Sequence, residues 1–128
     1  VLPPVRIDAA APDWPDAVPN ARADAVISAN LIHIAPWSVC LGLLAGAARL
    51  LGDDGLLCFY GPFNVDGQYT SEGNAAFDRS LRGQDPEWGL RDVSDLCDAA
   101  ATLNFRLWKT FPMPANNLTL VFRRTLLS

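Results

Sequence analysis

Apolar residues along the chain fall into two kinds of run that alternate. Residues 24–34 (DAVISANLIHI) are mostly β-branched or aliphatic without polar alternation, the pattern of a strand covered on both faces. From Trp37 to Leu51 the period changes. Val39, Leu43, Ala47 and Leu50 recur at helical spacing behind Pro36, and GDDG (residues 52–55) offers a glycine for a left-handed close. Residues 56–61 (LLCFYG) are again an apolar run of strand length. Strand, helix, strand in that order predicts a parallel βαβ unit with a right-handed crossover.

The flanks extend this pattern. Residues 3–8 form a short apolar piece ending in Asp8, and the Ala-, Pro- and Asp-rich stretch after it breaks any regular element. Residues 62–69 predict a loop, after which Thr70 or Ser71 caps a helix running to about Gln84. DPEWG (residues 85–89) interrupts it. Asp92 caps a further helix, on which Val93, Leu96, Ala99, Ala100 and Leu103 share one apolar face. FRLWKTFPM and LTLVFRR are strand-like, and PANN between them predicts an antiparallel hairpin.

Composition narrows what such a domain does. The 128 residues, 50% hydrophobic, suffice for one core and one domain, residues 1–128. A formal charge of -4, with no run of basic residues, gives little grip on phosphate backbones, so nucleic acid is not an expected partner. Arg123 and Arg124 are expected at the solvated end of a strand. Cys40, Cys58 and Cys97 are far apart and share one histidine, which predicts no zinc site and fits a reduced, cytoplasmic setting. The longest apolar stretch is broken by Gly42, Gly46 and Arg49 and is too short to cross a bilayer. No GxSxG elbow, Walker loop or second histidine for a metal pair is present.

The strings ANLIHIAPW, GLLAGAARLL, YGPF, SEGNAAFDRSLR, DPEWGLRD and MPANNLTLVFRR resemble a family of methyltransferase-like proteins that includes methyltransferase-like protein 26. The resemblance runs from about Asp8 to Arg124. It implies an α/β fold: a partial Rossmann-like class I methyltransferase domain, with a mostly parallel sheet, helices and a C-terminal antiparallel hairpin. It implies S-adenosylmethionine as cofactor and a small-molecule acceptor. Asp8 and Ala9 then lie beside the cofactor's adenine, and Asn30 and Leu31 beside its methionine part or the acceptor. The glycine-rich loop of that fold and the acid that follows its second strand should both precede Asp8, and neither is in these residues. The chain is therefore expected to lack the glycine-loop half. Its open strand edge is expected to pair with a second copy or a partner chain. A catalytically silent interaction module associating through that edge is the alternative to an enzyme.

His33 is the one side chain whose ordinary pKa suits a base near neutrality, and it falls at the carboxyl end of a strand, where doubly wound sheets bind ligands. A histidine hydrogen-bonded beneath the Pro36–Trp37 turn is the other reading. Tyr60, Gly61 and Pro62 leave the second strand at the same end and are candidates for an acceptor wall. Asn74, Asp78 and Arg82 recur every four residues, giving either a solvated polar face with an ion pair or a face whose Asn74 meets the cleft. Asn116 and Asn117 suit a turn or, alternatively, place two amides over the pocket. Trp88 and Trp108 are expected to pack.

Overall fold

A computed structural model describes residues 6–18, 20 and 22–124. Its strands are β1 (Ala23–Ala29), β2 (Leu51–Gly61), β3 (Phe63–Asn64), β4 (Arg91–Asp92), β5 (Phe105–Met113) and β6 (Asn117–Arg124). Its helices are α1 (Trp37–Leu50), α2 (Glu72–Gln84) and α3 (Val93–Ala101), with 3-10 turns at Trp14–Ala17 and Pro114–Asn116. The main sheet has the order β1-β2-β6-β5, and β3 pairs with β4 in a separate parallel ladder that was not foreseen.

β1 is parallel to β2, so α1 is the crossover of a βαβ unit. β6 inserts antiparallel between β2 and β5, which is the reversed strand near one edge. Leu57 pairs with Phe122 and Phe59 with Leu120, so these four side chains share one face. They pack there with Leu44 and Ala47 of α1, Leu96 and Ala100 of α3, and Phe105. Phe59 and Phe122 meet edge to face at 6.0 Å between ring centroids.

The helix starts follow the predicted caps. Ser71 accepts the Asn74 amide at 3.0 Å, and Asp92 accepts the Ser94 amide at 2.9 Å. Cys40 is fully buried in the core, and burial pushes its thiol up to about 12; it acts as a small hydrophobe. No described helix is long and apolar enough to cross a membrane. Among the described residues no group of three or more His, Cys, Asp or Glu side chains is placed to hold a metal.

Four expectations change. First, β1 is not buried on both faces: Ser28 is its one buried residue, and Ile27 is 73% exposed. Val26 and Ser28 turn toward the helices. The opposite face, with Ile27, has no described element packed over it. Second, the strand-like character of residues 24–34 outruns the strand, which ends at Ala29, because Asn30 adopts φ 55 and turns the chain out of the sheet. Third, GDDG does not close α1. Leu51 already enters β2, and the left-handed residue of the group is Asp54, φ 62, within a register irregularity against β1. Fourth, Arg124 is not a solvated strand end. Its guanidinium donates to the carbonyls of Ala48 and Leu51, the latter at 2.6 Å, placing a cation at the C-terminal end of α1. Arg123 pairs with exposed Asp54 at 3.0 Å, as a surface ion pair does.

The expected strand over residues 3–8 lies partly outside the described residues, and Arg6, Ile7 and Asp8 have no regular structure. The following segment lies along α1, where two glycines make room for it. A Cβ at Gly42 would be 2.2 Å from the Ala9 carbonyl oxygen, and one at Gly46 would be 2.0 Å from the Trp14 ring. Trp14 is buried there and donates its indole N–H to the Gly42 carbonyl at 3.0 Å.

Candidate functional site

The left-handed turn at Asn30 lifts residues 31–36 above the carboxyl ends of β1 and β2. Its amide still bonds the Tyr60 carbonyl at 2.9 Å, and Ile34 closes back on Leu31 at 3.1 Å. His33 lies inside this turn, 5% exposed. A Cβ at Gly61 would stand 3.5 Å from its Nδ1 and 3.6 Å from Asn30 Oδ1, so both groups lie against the Gly61 backbone at the end of β2. On the other side the imidazole meets the edge of the Phe77 ring, 5.8 Å between centroids at 64°. Among the described residues no side-chain hydrogen bond reaches either ring nitrogen. Burial, and then the Arg91 guanidinium, hold the imidazole below its ordinary pKa.

From Phe77 a ring of contacts, linked by near neighbours along the chain, leads back to His33. Asn74 lies one turn earlier on α2, 6% exposed, and its Nδ2 donates to Thr70 Oγ1 at 3.0 Å and to the Asn116 carbonyl at 3.2 Å. Asn117 Nδ2 donates to the Pro114 carbonyl at 3.1 Å and to the Tyr60 hydroxyl at 3.2 Å. Tyr60 precedes Gly61, which returns the ring to His33. Backbone carbonyls can only accept, so they fix both amide orientations, and the two Oδ1 atoms remain available. Ala115 and Asn116 hold φ 63 and φ 58 in the PANN turn, a left-handed pair that costs energy in a non-glycine chain. The antiparallel pairing of β5 with β6 holds the turn in that form.

The predicted residues therefore divide. His33, Asn30, Tyr60, Gly61, Asn74, Asn116 and Asn117 come together at one strand-end rim. Pro62 is buried beside Gly61, and Leu31 is partly exposed on the turn. Asp8 and Ala9 are elsewhere. The Asp8 carboxylate accepts the Ala10 amide at 3.0 Å, and the Ala9 carbonyl faces Gly42 of α1. No contact among the described residues joins these two to the ring.

Two supports of the site escaped the sequence reading. Asp78, expected on a solvated face, is 2% exposed and accepts from the Tyr69 hydroxyl at 2.5 Å, the Leu90 amide at 2.8 Å and Arg82 Nε at 3.0 Å. Burial alone would raise its pKa, but these three donors outweigh it and hold the carboxyl below its ordinary value. Arg91 reaches back under the His33 turn. A signal existed for Asp78, which keeps the helical phase of Asn74; Gly89, at φ 150, packs so closely that a Cβ would strike Asp78 and Arg82. Behind the turn a cleft of about 660 Å³ opens at the start of α3, lined by Trp37, Asn64, Arg82, Arg91, Asp92 and Asp95 among others; none of the predicted site residues lines it.

The family described as "Protein of unknown function (DUF938)" matches residues 1–124. Among solved structures the chain is similar to an O-methyltransferase family 2 protein from Planctomyces limnophilus in complex with apigenin, with TM-score 0.73, 16% identity, and 81% of this chain and 31% of that one covered. It is also similar to a putative O-methyltransferase from Nostoc punctiforme, TM-score 0.70 and 16% identity over 80% and 32% of the two chains. Human N-acetylserotonin methyltransferase in complex with SAM matches at TM-score 0.69 and 15% identity, over 82% and 30%. The fold is thus that of the methyltransferases, and the chain spans about a third of the length of each of these proteins.

Proposed function

The chain belongs to the DUF938 family, and from that premise we propose that it is the carboxyl-terminal part of an S-adenosylmethionine-dependent methyltransferase domain, acting on a hydroxyl of a small molecule. Its motifs, NAAFDRSLR, DPEWGLRD and MPANN above all, support a kinship with proteins of the methyltransferase-like protein 26 kind. The observation that carries this reading is His33, a buried imidazole at a strand's carboxyl end with no hydrogen-bond partner among the described residues. A structural histidine would commit a nitrogen to the backbone; a base must keep one free.

Each residue of the rim has a task in this reading. His33, neutral at pH 7, takes the proton of the acceptor hydroxyl on an imidazole nitrogen. Gly61 and Pro62 wall the acceptor's side of β2, and Phe77 flanks it. Tyr60, Asn74, Asn116 and Asn117 fix its orientation, with the free Oδ1 atoms of Asn74 and Asn117 accepting from its donors. Asn30 and Leu31 border the cofactor side. S-adenosylmethionine, when bound, would supply a methyl group activated on a sulfonium. The fit of this chain to the cofactor is partial: Asp8 keeps one carboxylate oxygen and Asn30 its Oδ1 as acceptors, while the Ala9 carbonyl is turned against α1.

A partial site predicts weak binding. Calorimetric titration of the chain with S-adenosylmethionine is expected to give a dissociation constant of roughly 1 mM or weaker. Replacing Asn30 with Ala is expected to remove the remaining heat. Absence of any heat at several millimolar cofactor would show that this chain contributes no cofactor contacts of its own.

The second reading, an interaction module, is favoured by the contrast between the two sheet edges. β5 carries the devices that block pairing: Pro112, Lys109 and a register irregularity around Trp108. β1 carries no proline and no lysine, and presents Ile27 on an open face. Such an edge suits a further strand from another part of a methyltransferase domain or from a second copy. Sedimentation at increasing concentration is expected to show association through β1, and Ile27→Lys is expected to reduce it about tenfold or more. Unchanged association in a folded Ile27→Lys variant would move the contact elsewhere.

A further inference from the structure

We propose that Arg91 is a positioning residue for His33, gripping the backbone on both sides of the histidine so that its imidazole stays turned toward Gly61 and Asn30. Arg91 Nε donates to the Ile32 carbonyl at 3.0 Å, and its Nη2 to the carbonyls of Ala35 at 2.7 Å and Glu87 at 2.9 Å. The carbonyl between them, that of His33, accepts the Gly89 amide at 3.0 Å. Residues 32, 33 and 35 are therefore all tied to the segment 87–91. This segment is fixed in turn by the Leu90 amide on Asp78 and by pairing of β4 with β3. The guanidinium also stacks over Trp37, 5.4 Å from the ring centroid.

The chemistry requires arginine. A planar fork reaches three carbonyls, two on the His33 turn and one in its own segment, whereas an ammonium on the same stem is a point donor with different reach. The groups facing the imidazole from the other elements are uncharged: Phe77 from α2 and Gly61 from β2. Arg91 is the charge that acts on it. The catalytic consequence rests on the reading of His33 as a base; the positioning itself does not.

His33 is the only histidine, so its ring gives a single titrating set of NMR signals. In the unaltered chain the Arg91 Nε proton and the Gly89 amide are expected to exchange slowly with solvent. In Arg91→Lys and Arg91→Gln, Gly89 exchange is expected to accelerate about tenfold more than the amides of the β2–β6 ladder. The nuclear Overhauser contact between the His33 and Phe77 rings is expected to weaken. The His33 titration midpoint is expected to rise in Arg91→Gln, which removes the cation, and to rise less in Arg91→Lys, which keeps it. An unchanged ring contact and Gly89 exchange in either folded variant would overturn the proposal. So would a uniform acceleration of every amide, which is the mark of a general stability role. Should neither variant fold, fast exchange of the Arg91 Nε proton in the unaltered chain overturns it and slow exchange supports it. If these results hold while transfer survives loss of His33, the base reading fails and the positioning stands.

Discussion

Asp78→Ala is expected to cost about 3 kcal/mol of folding stability, on the order of a 10 °C fall in melting temperature for a domain of this size. The carboxylate is a buried junction of three donors from three places: Tyr69 before α2, Arg82 within it, and the Leu90 amide beyond it. Arg82 is half exposed and recovers water when its partner is lost. The Leu90 amide lies in a buried bond and does not. Asp78→Asn, which keeps one acceptor oxygen, is expected to lose about half as much. The same junction gives a pH dependence of known sign. A carboxyl held below its ordinary value in the folded state stabilises fully above the unfolded pKa, and loses that contribution as pH falls through the folded one. Stability in the unaltered protein should therefore begin to fall below about pH 4, and Asp78→Asn should flatten that part of the curve. Denaturant unfolding across pH 2 to 7 measures both effects. A loss below about 1 kcal/mol in Asp78→Ala would mean that the junction is solvated.

His33→Ala is expected to lower methyl transfer to a hydroxyl acceptor by roughly 10²- to 10⁴-fold, the range that a positioned general base contributes. The pH profile discriminates further. Because burial and Arg91 depress the imidazole, it is neutral at pH 7, and transfer should be flat from neutrality upward. It should fall on the acid side of the ordinary histidine value of ~6.5 as the ring takes a proton. That acid limb should vanish in His33→Ala together with most of the rate. Unchanged turnover in the folded variant would remove His33 as the base and leave it as a packing residue against Phe77. Phe77→Ala offers a control, since it removes the edge contact but leaves both nitrogens in place.

Much of the architecture was legible because it depends on local chemistry. Ser71 and Asp92 announce their helices as caps, whatever lies around them, and both make the predicted bonds. The PANN turn announces the hairpin in the same way. Errors came where a neighbour decides the outcome. A run such as DAVISANLIHI cannot show that Asn30 leaves the sheet with a positive φ, since asparagine is tolerated in either region. Nor can GDDG show that Leu51 is already in a strand. In both cases pairing between β1 and β2 sets the boundary.

The site divides along the same line. By itself the sequence determined the order of the βαβ unit, the two later helices and the closing hairpin, and the residue types at the strand ends: one histidine, one glycine, one tyrosine and four asparagines. Periodicity and turn chemistry act over a few residues and are written in the chain. Only the tertiary structure decided that Asn74 meets Asn116 across 42 positions, that Arg91 holds Ile32 across 59, and that Asp78 is buried rather than solvated. It also decided that Ala9 lies on α1, with Asp8 beside it and apart from the ring, because Gly42 and Gly46 let that segment settle against the helix. These contacts depend on how layers pack, and helical phase alone does not say which polar face will be covered.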